Sequence, residues 1–261
     1  MTLEGTNTYI VGRDPAFVID PGPGIDSHVE AIRSAGEERG GIGGVLLTHS
    51  HADHSAAVPV LGAPVMWGEV SEGDESGGPA VAVLSQGRTT TSKQDSDRDI
   101  GPFTPLPSPG HASDHVCFTW ERATAGAPAP GGPVVFVGDL ILGHGSSIVP
   151  PAAMGGSLAD YMRSLERLHA LDAELLCPGH GPWITDPAAR IDEYIAHRRE
   201  REAKLAAALE AGERSREGLL EAAWDDVPGP LRGAAAVAMQ AHLEKLEAEG
   251  RLPEGVEPES A

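Results

Sequence analysis

Over the first two thirds of the chain, apolar residues come in short bursts broken by Gly, Pro and Asp. Tyr9-Ile10-Val11 and Ala16-Phe17-Val18-Ile19 flank Gly12-Arg13-Asp14-Pro15, the pattern of two strands joined by a turn. Asp20-Pro21-Gly22-Pro23-Gly24 ends the second strand, and Asp26 or Ser27 can cap a helix running through Ile32. Gly43-Gly44 precedes Val45-Leu46-Leu47, a buried strand; Val58–Leu61 then predicts a short helix and Pro64–Trp67 a strand. No clear pattern governs 68–105, where Ser71–Gly78 has the composition of a mobile loop and Thr89–Asp99 is polar throughout. Val116–Trp120 and Val134–Val137 predict strands, with the Gly/Pro/Ala stretch Ala123–Pro133 as the loop between them. Leu158, Tyr161, Met162, Leu165 and Leu168 fall at helical spacing, and Leu175-Leu176-Cys177 predicts a last strand.

After Asp186-Pro187 the spacing turns helical for good. Ile191, Ile195, Leu205 and Leu209 punctuate one long charged helix, Ala188–Leu209. Ser215–Trp224 and Leu231–Glu249 predict two more, split by Pro228-Gly229-Pro230. The change of character places a domain boundary near Pro187, giving domains 1–186 and 187–261.

Composition narrows the function. Of 261 residues 40% are hydrophobic, enough for a sizeable core, but only 4% are aromatic, so Val, Leu, Ile and Ala must fill it. A net charge of −20 disfavours nonspecific binding to nucleic acid or an anionic membrane, both polyanions. Two cysteines, Cys117 and Cys177, cannot make a disulfide framework. No apolar run approaches the ~18 residues of a membrane span, and Met1–Gly5 lacks the basic and apolar regions of a secretory signal, so a cytoplasmic protein is expected.

The chemistry concentrates in His49-Ser50-His51-Ala52-Asp53-His54, directly after an apolar strand and Thr48. Alternate positions of an extended segment face one way, so His49 and His51 can grip one ion while Asp53 and His54 turn towards a second. Three single candidates, His111, Asp139 and His180, each sit at a strand end beside a glycine. Imidazole and carboxylate donors suit zinc, and manganese or iron less specifically. An open position on such an ion lowers the pKa of bound water from ~15.7 to ~7, and two ions ~3.5–4 Å apart can share the hydroxide.

On five motifs in order (Asp20; His49-x-His51-x-Asp53-His54; His111; Asp139; His180), the chain resembles the metallo-β-lactamase superfamily from Gly5 to about Pro182. The resemblance implies an α/β fold, a four-layer αββα sandwich with two metal ions, zinc by preference, at one edge. It implies His49, His51 and His111 on one ion, Asp53, His54 and His180 on the other, Asp139 bridging, and Asp20 buttressing the ligand loop. Zinc β-lactamases carry Cys or Ser where this chain has Asp139, and the flavodiiron branch has Glu in place of His51. Gly5-Thr6-Asn7-Thr8-Tyr9, Ser113-Asp114-His115, Gly138–Gly143, Tyr161–Leu165 and His197–Glu202 look like the β-lactamase-like protein 2 subfamily, as does the helical tail, which matches its winged-helix-like domain. That subfamily implies a metal-dependent endoribonuclease acting on single-stranded RNA. Ser108 stands where the family has Thr, and 68–105 matches poorly. The family also has residues before the Gly-Thr-Asn-Thr-Tyr motif that supply a first strand; this chain starts almost at the motif, which implies a misassigned start or a missing edge strand.

These features predict a binuclear hydrolase in which a metal-bridging hydroxide attacks an electrophilic carbonyl or phosphorus. Asp53 orients the nucleophile and takes its proton, and His115 can hydrogen-bond a substrate oxygen. Phosphodiester cleavage is the first reading; a glyoxalase-II-like thioester or lactone hydrolase is the alternative. A β-lactamase side activity, an iron-dependent sulfur oxygenase and a non-enzymatic nucleic-acid-binding regulator rank below these. The substrate is thus a small molecule or single-stranded RNA, with no membrane partner. From Pro187 on, ten Lys and Arg stand against sixteen Asp and Glu, and Arg198, Arg199 and Arg201 form the one basic cluster, which reads as a solvated helix face. The tail can also cover the site's rim or build a homodimer interface.

Overall fold

The computed structural model describes residues 5–68, 100–120, 123–124, 127–128 and 131–256. The polar stretches 71–78 and 89–99 lie outside the described residues. The chain divides into two compact units. One comprises the described residues of Met1–Pro107, Asp114–Gly145 and Ala173–Thr185; the other comprises those of Ser108–Ser113, Ser146–Asp172 and Asp186–Ala261.

Two four-stranded sheets make the first unit. β1 (Tyr9–Gly12) and β2 (Ala16–Ile19) pair antiparallel, with Tyr9 opposite Ile19. β2 continues in parallel to β3 (Ile42–Leu46), and β3 to β4 (Val65–Trp67). The second sheet runs in the order β10 (Leu175–Pro178), β9 (Val134–Gly138), β6 (Val116–Trp120), β5 (Phe103–Pro107). Its β9–β10 pair is parallel and the others antiparallel. A small hairpin, β7 (Ala123–Thr124) with β8 (Ala127–Pro128), lies within the stretch read as a loop.

Alternation along the strands splits their side chains between two faces. Ile19 and Leu46 meet Phe103, Phe118, Phe136 and Cys177 between the sheets, whereas Val18, Val45 and Leu47 point the other way. There they pack on α1 (Asp26–Glu37) and α3 (Val58–Leu61) through Val29, Ile32, Val58 and Leu61. Each such side chain, once fully buried, stabilises the fold by ~1.5–3 kcal/mol. Neither Asp26 nor Ser27 caps α1: the N-cap is Ile25 and no side chain caps it. β5 escapes the sequence reading because Pro105 and Pro107 interrupt its pattern; it is the edge strand of its sheet, where proline is tolerated.

The second unit is helical. Ser157 caps α4 (Leu158–His169) by accepting from Asp160 N–H, and Asp186 caps α5 (Pro187–Glu210), whose first residue is proline. Ser215 caps α6 (Arg216–Ala223), and α7 (Arg232–Ala248) follows. Leu205, Leu209, Leu219, Trp224, Met239, Leu243 and Leu246 form this unit's core. The described residues from Pro187 on are helices and turns, without a strand. Among the described residues, no helix is long and apolar enough to cross a membrane.

Candidate metal centre

Four candidates of the first unit follow the carboxyl ends of strands, while His115 directly precedes β6. β3 runs into Thr48 and His49, β9 into Asp139, β10 into His180 and β2 into Asp20. Because β2 and β3 are parallel, as are β9 and β10, these ends gather on one rim. After His51 the chain winds into a single helical turn, α2 (Ala52–Ser55), which carries Asp53 and His54.

Two sets of possible ligand atoms converge there, each within 4.8 Å: His49, His54 and Asp139, and Asp53, His54 and His180. His54 Nε2 lies 3.5 Å from Asp139 Oδ1 and 3.7 Å from Asp53 Oδ2; His180 Nε2 lies 3.4 and 3.3 Å from the same two oxygens. His51 Nδ1 is 3.0 Å from His49 Nε2. Ligand atoms on a tetrahedral zinc with bonds of ~2.0–2.1 Å sit about 3.3 Å apart. Gly179 makes this approach possible: a Cβ there would stand 2.6 Å from both Asp139 Oδ1 and His54 Cε1. At Gly138, with φ +47°, a Cβ would stand 2.5 Å from Thr48 Oγ1.

Hydrogen bonds behind the histidines set which nitrogen faces the centre. Asp20 is buried, at φ +48°, and accepts from Thr48 N–H (2.8 Å), Thr48 Oγ1 (2.7 Å) and His54 Nδ1 (2.9 Å). Since the Thr48 hydroxyl proton goes to Asp20, its oxygen accepts from His49 Nδ1 at 3.0 Å. Asp20 therefore orients His54 directly and His49 through Thr48. His180 Nδ1 donates to Gly5 O at 2.8 Å. Asp114 Oδ2 accepts from Ser50 N–H at 2.8 Å and pins the middle of the ligand loop. Sequence reasoning gave Asp114 no role; its place in Ser113-Asp114-His115 is the signal it carries.

The electrostatics call for a cation. Burial alone would lower the His54 pKa, but Asp20 and Asp139 outweigh it and push it up to about 10. Burial opposes the same rise at His180, where Asp139 and Asp53 push the ring up to about 10. Burial would raise Asp53, yet His180 and His54 bring it below its ordinary value. His54 Nε2 is buried without a hydrogen-bond partner among the described residues. Such a nitrogen, facing two carboxylates, fits a divalent ion, whose binding releases protons from its ligands.

The remaining candidates lie as follows. His111 belongs to the second unit, on the segment Ser108–Ser113, with Nδ1 2.8 Å from Ile148 O and 3.2 Å from Ser147 Oγ. His115 is 1% exposed, and its Nε2 accepts the Asp139 N–H at 3.2 Å. The sequence offers that histidine a substrate oxygen; the structure gives this nitrogen the backbone of Asp139. The basic cluster departs from its expected solvated face. Arg201 is 6% exposed, donates to Ala223 O, and forks onto Asp226 at 2.6 and 2.8 Å. Arg198 is 4% exposed and donates to Ser147 O and Ser146 Oγ; Arg199 alone faces solvent.

The chain is similar to several known proteins. The Aspergillus niger lactamase-like protein adaB is 37% identical over 80% of this chain, which spans 60% of that protein's length. A beta-lactamase-like protein 2 homolog of Drosophila melanogaster is 29% identical over 97% of this chain and 85% of its own. The atrochrysone carboxyl ACP thioesterase of Aspergillus fumigatus is 31% identical over 98% and 72%. A metallo-beta-lactamase family protein from Thermus thermophilus superimposes with a TM-score of 0.66 at 25% identity, covering 94% of this chain and 89% of its own. Residues 1–180 match the sequence profile of the metallo-beta-lactamase superfamily. With that profile spanning most of the chain and the His/Asp rim in place, the protein belongs to the metallo-beta-lactamase superfamily.

Proposed function

We propose that this protein is a two-metal hydrolase of acyl esters or thioesters. The observation that carries the substrate class is the fate of the basic cluster. Arg198 and Arg201 are spent inside the helical unit, and the tail they belong to is acid-rich. A polyanion gains affinity from displaced counterions only where Lys and Arg meet its phosphates. A small neutral or weakly charged acyl substrate asks for no such surface. The likeness to a protein named an ACP thioesterase, over 98% of this chain, supports the same class.

In this reading His54, His180 and Asp53 would hold one ion and His49 and His51 the other, the family pattern would add His111, and Asp139 would serve both. Zinc is the proposed metal, with manganese or iron as alternatives. The ions, when bound, supply an ionised water at neutral pH and a Lewis acid for the acceptor oxygen. Asp53, ionised and partly exposed, orients the attacking group and accepts its proton. His115 holds the Asp139 backbone in place. Residues 1–186 carry the chemistry, and 187–261 correspond to the subfamily's winged-helix-like domain, a reading supported by three successive helices. The same proposal includes a cytoplasmic location and a homodimer.

Phosphodiester cleavage is the second reading, favoured by the likeness to a beta-lactamase-like protein 2 homolog over 97% of the chain. Metal content and hydrolysis of an acyl thioester and of single-stranded RNA, measured side by side, separate the two. About two zinc per chain with thioester turnover and intact RNA is the expected result. RNA cleavage without thioester turnover overturns the acyl class; one iron and no hydrolysis overturns both.

A further inference from the structure

Besides Gly138 O, which accepts from Gly179 N–H, and Gly143 N–H, which donates to His180 O, one short segment makes several bonds to the supports of one metal position. Gly5 O accepts from His180 Nδ1 at 2.8 Å. Asn7 Nδ2 donates to Pro178 O (3.0 Å) and Gly181 O (2.7 Å), and Asn7 N–H donates to Gly179 O (2.7 Å). Tyr9 OH donates to Pro178 O at 2.7 Å. Thr8 Oγ1 donates to Asp20 O at 2.8 Å, and Asp20 in turn holds His54. Bonds from Gly5, Asn7 and Tyr9 thus close on the loop 178–181, far away in the sequence, and the bond from Thr8 reaches the acid behind the other histidine.

We infer that Asn7 is the positioning residue for the metal position formed by Asp53, His54 and His180. The loop 178–181 carries two glycines and leaves a strand end, so little in its own sequence fixes His180. Gly179 can bear no side chain, because a Cβ would meet Asp139 and His54. The loop is therefore held from outside. Asn7 takes the carbonyls of Pro178, Gly179 and Gly181, and sets Gly5 O against the ring of His180. Its amide touches no ligand atom. It acts on the ion only by fixing where His180 Nε2 stands, the way outer hydrogen bonds orient metal-binding histidines.

This inference rests on the two-metal reading, and one titration tests both separately. Apo protein is titrated with Co²⁺ alone and followed by its visible absorption, for wild type, Asn7→Ala and Val29→Ala. Val29, on α1, packs in the core with Val18, Val45 and Val58, so its variant controls for lost stability. Wild type is expected to take two equivalents; if it takes one, the two-metal reading fails before Asn7 is tested. Asn7→Ala is expected to keep the first equivalent and bind the second at least tenfold more weakly, with an altered spectrum for that ion. Val29→Ala is expected to bind both like wild type. A second equivalent within threefold of wild type in Asn7→Ala overturns the inference, as does equal weakening in Val29→Ala. Should Asn7→Ala not fold, Thr8→Val is read in the same way. It removes the hydroxyl that bonds Asp20 O and His28 Nε2, and unchanged binding of both ions then counts against the segment's role.

Discussion

Two clusters of buried titratable groups stand in this protein, and they resolve their charge in opposite ways. At the rim of the sheets, Asp20, Asp53 and Asp139 face His54 and His180 so closely that both rings are pushed up to about 10. In the helical unit, burial and then the charge of Arg198 push His242 well below its ordinary value, and burial with Arg198 and Arg201 lowers His197 too. The first cluster has excess negative charge aimed at nitrogens that are held from behind. The second pairs Arg201 with Asp226 and Arg198 with a backbone carbonyl and keeps its histidines neutral, although Arg198 Nε and both His242 ring nitrogens have no hydrogen-bond partner among the described residues. A buried polar cluster marks a functional centre when its groups converge on one point and still lack a counter-charge; it marks architecture when each charge is answered locally.

The largest expected effect breaks the rim. Asp139→Ala removes the carboxylate that both His54 and His180 approach. Hydrolysis should fall by about a thousandfold or more, ~4 kcal/mol of transition-state stabilisation, with bound metal per chain falling in parallel. Activity that survives with full metal content would show the rim to be architecture too. Asp20→Ala should come next. It strips the partners of Thr48 and His54 while leaving every ligand in place, so metal affinity should drop about 10–100-fold, measured by competition with a chelator. Retained affinity would mean that the ligand loop holds its shape without the buried acid.

The rim was the more legible cluster. His49-x-His51-x-Asp53-His54 sits in one stretch after a strand, so spacing alone brings four donors together, and the β1–β2 turn and the helices α4 to α7 follow from apolar periodicity. Of what holds the donors, Asp20 was expected from the family resemblance, and the rest was not legible. Asn7 meets its loop across 171 to 174 residues, and Asp114 meets Ser50 across 64; no local pattern encodes such pairings. The Arg cluster misled for the same reason. On a helix, alternating Arg and Glu look solvated, and only the placement of Asp226, Ala223 and the 146–147 segment decides that Arg198 and Arg201 turn inward. β5 was hidden because Pro105 and Pro107 are acceptable only on an edge, and whether a strand is an edge is a property of the sheet.

The helical cluster can be broken on its own. Arg201→Ala leaves Ala223 O and the Asp226 carboxylate without their donor, and removes a guanidinium 5.8 Å from the Trp224 ring centre. Because Asp226 is largely exposed, the loss should come mainly from the buried end, ~2 kcal/mol by chemical denaturation. Metal content should stay at the wild-type level. A variant that loses metal as well would tie the two clusters together and remove the contrast between them.

The smallest effect sharpens the contrast through pH. His242 and His197 both have folded-state pKa values below the ordinary 6.5, chiefly from burial. Below that pH the unfolded chain binds protons that the folded helices refuse, so the stability these residues allow is complete above 6.5 and falls as the solution is acidified. Each contributes at most ~1.4 kcal/mol per pH unit, so about 1 kcal/mol should be lost between pH 6.5 and 5.5. The rim histidines, raised rather than lowered, hold their contribution through this window in metal-free protein and lose it as pH climbs towards 10. Protection factors in α7 of the metal-free protein, which correct for the pH dependence of intrinsic amide exchange, should therefore fall on acidification. His242→Phe, which keeps a ring against Trp224, should flatten that dependence. An unchanged slope in the variant would mean that His242 already carries a proton in the folded helices, and that the second cluster is no less charged than the first.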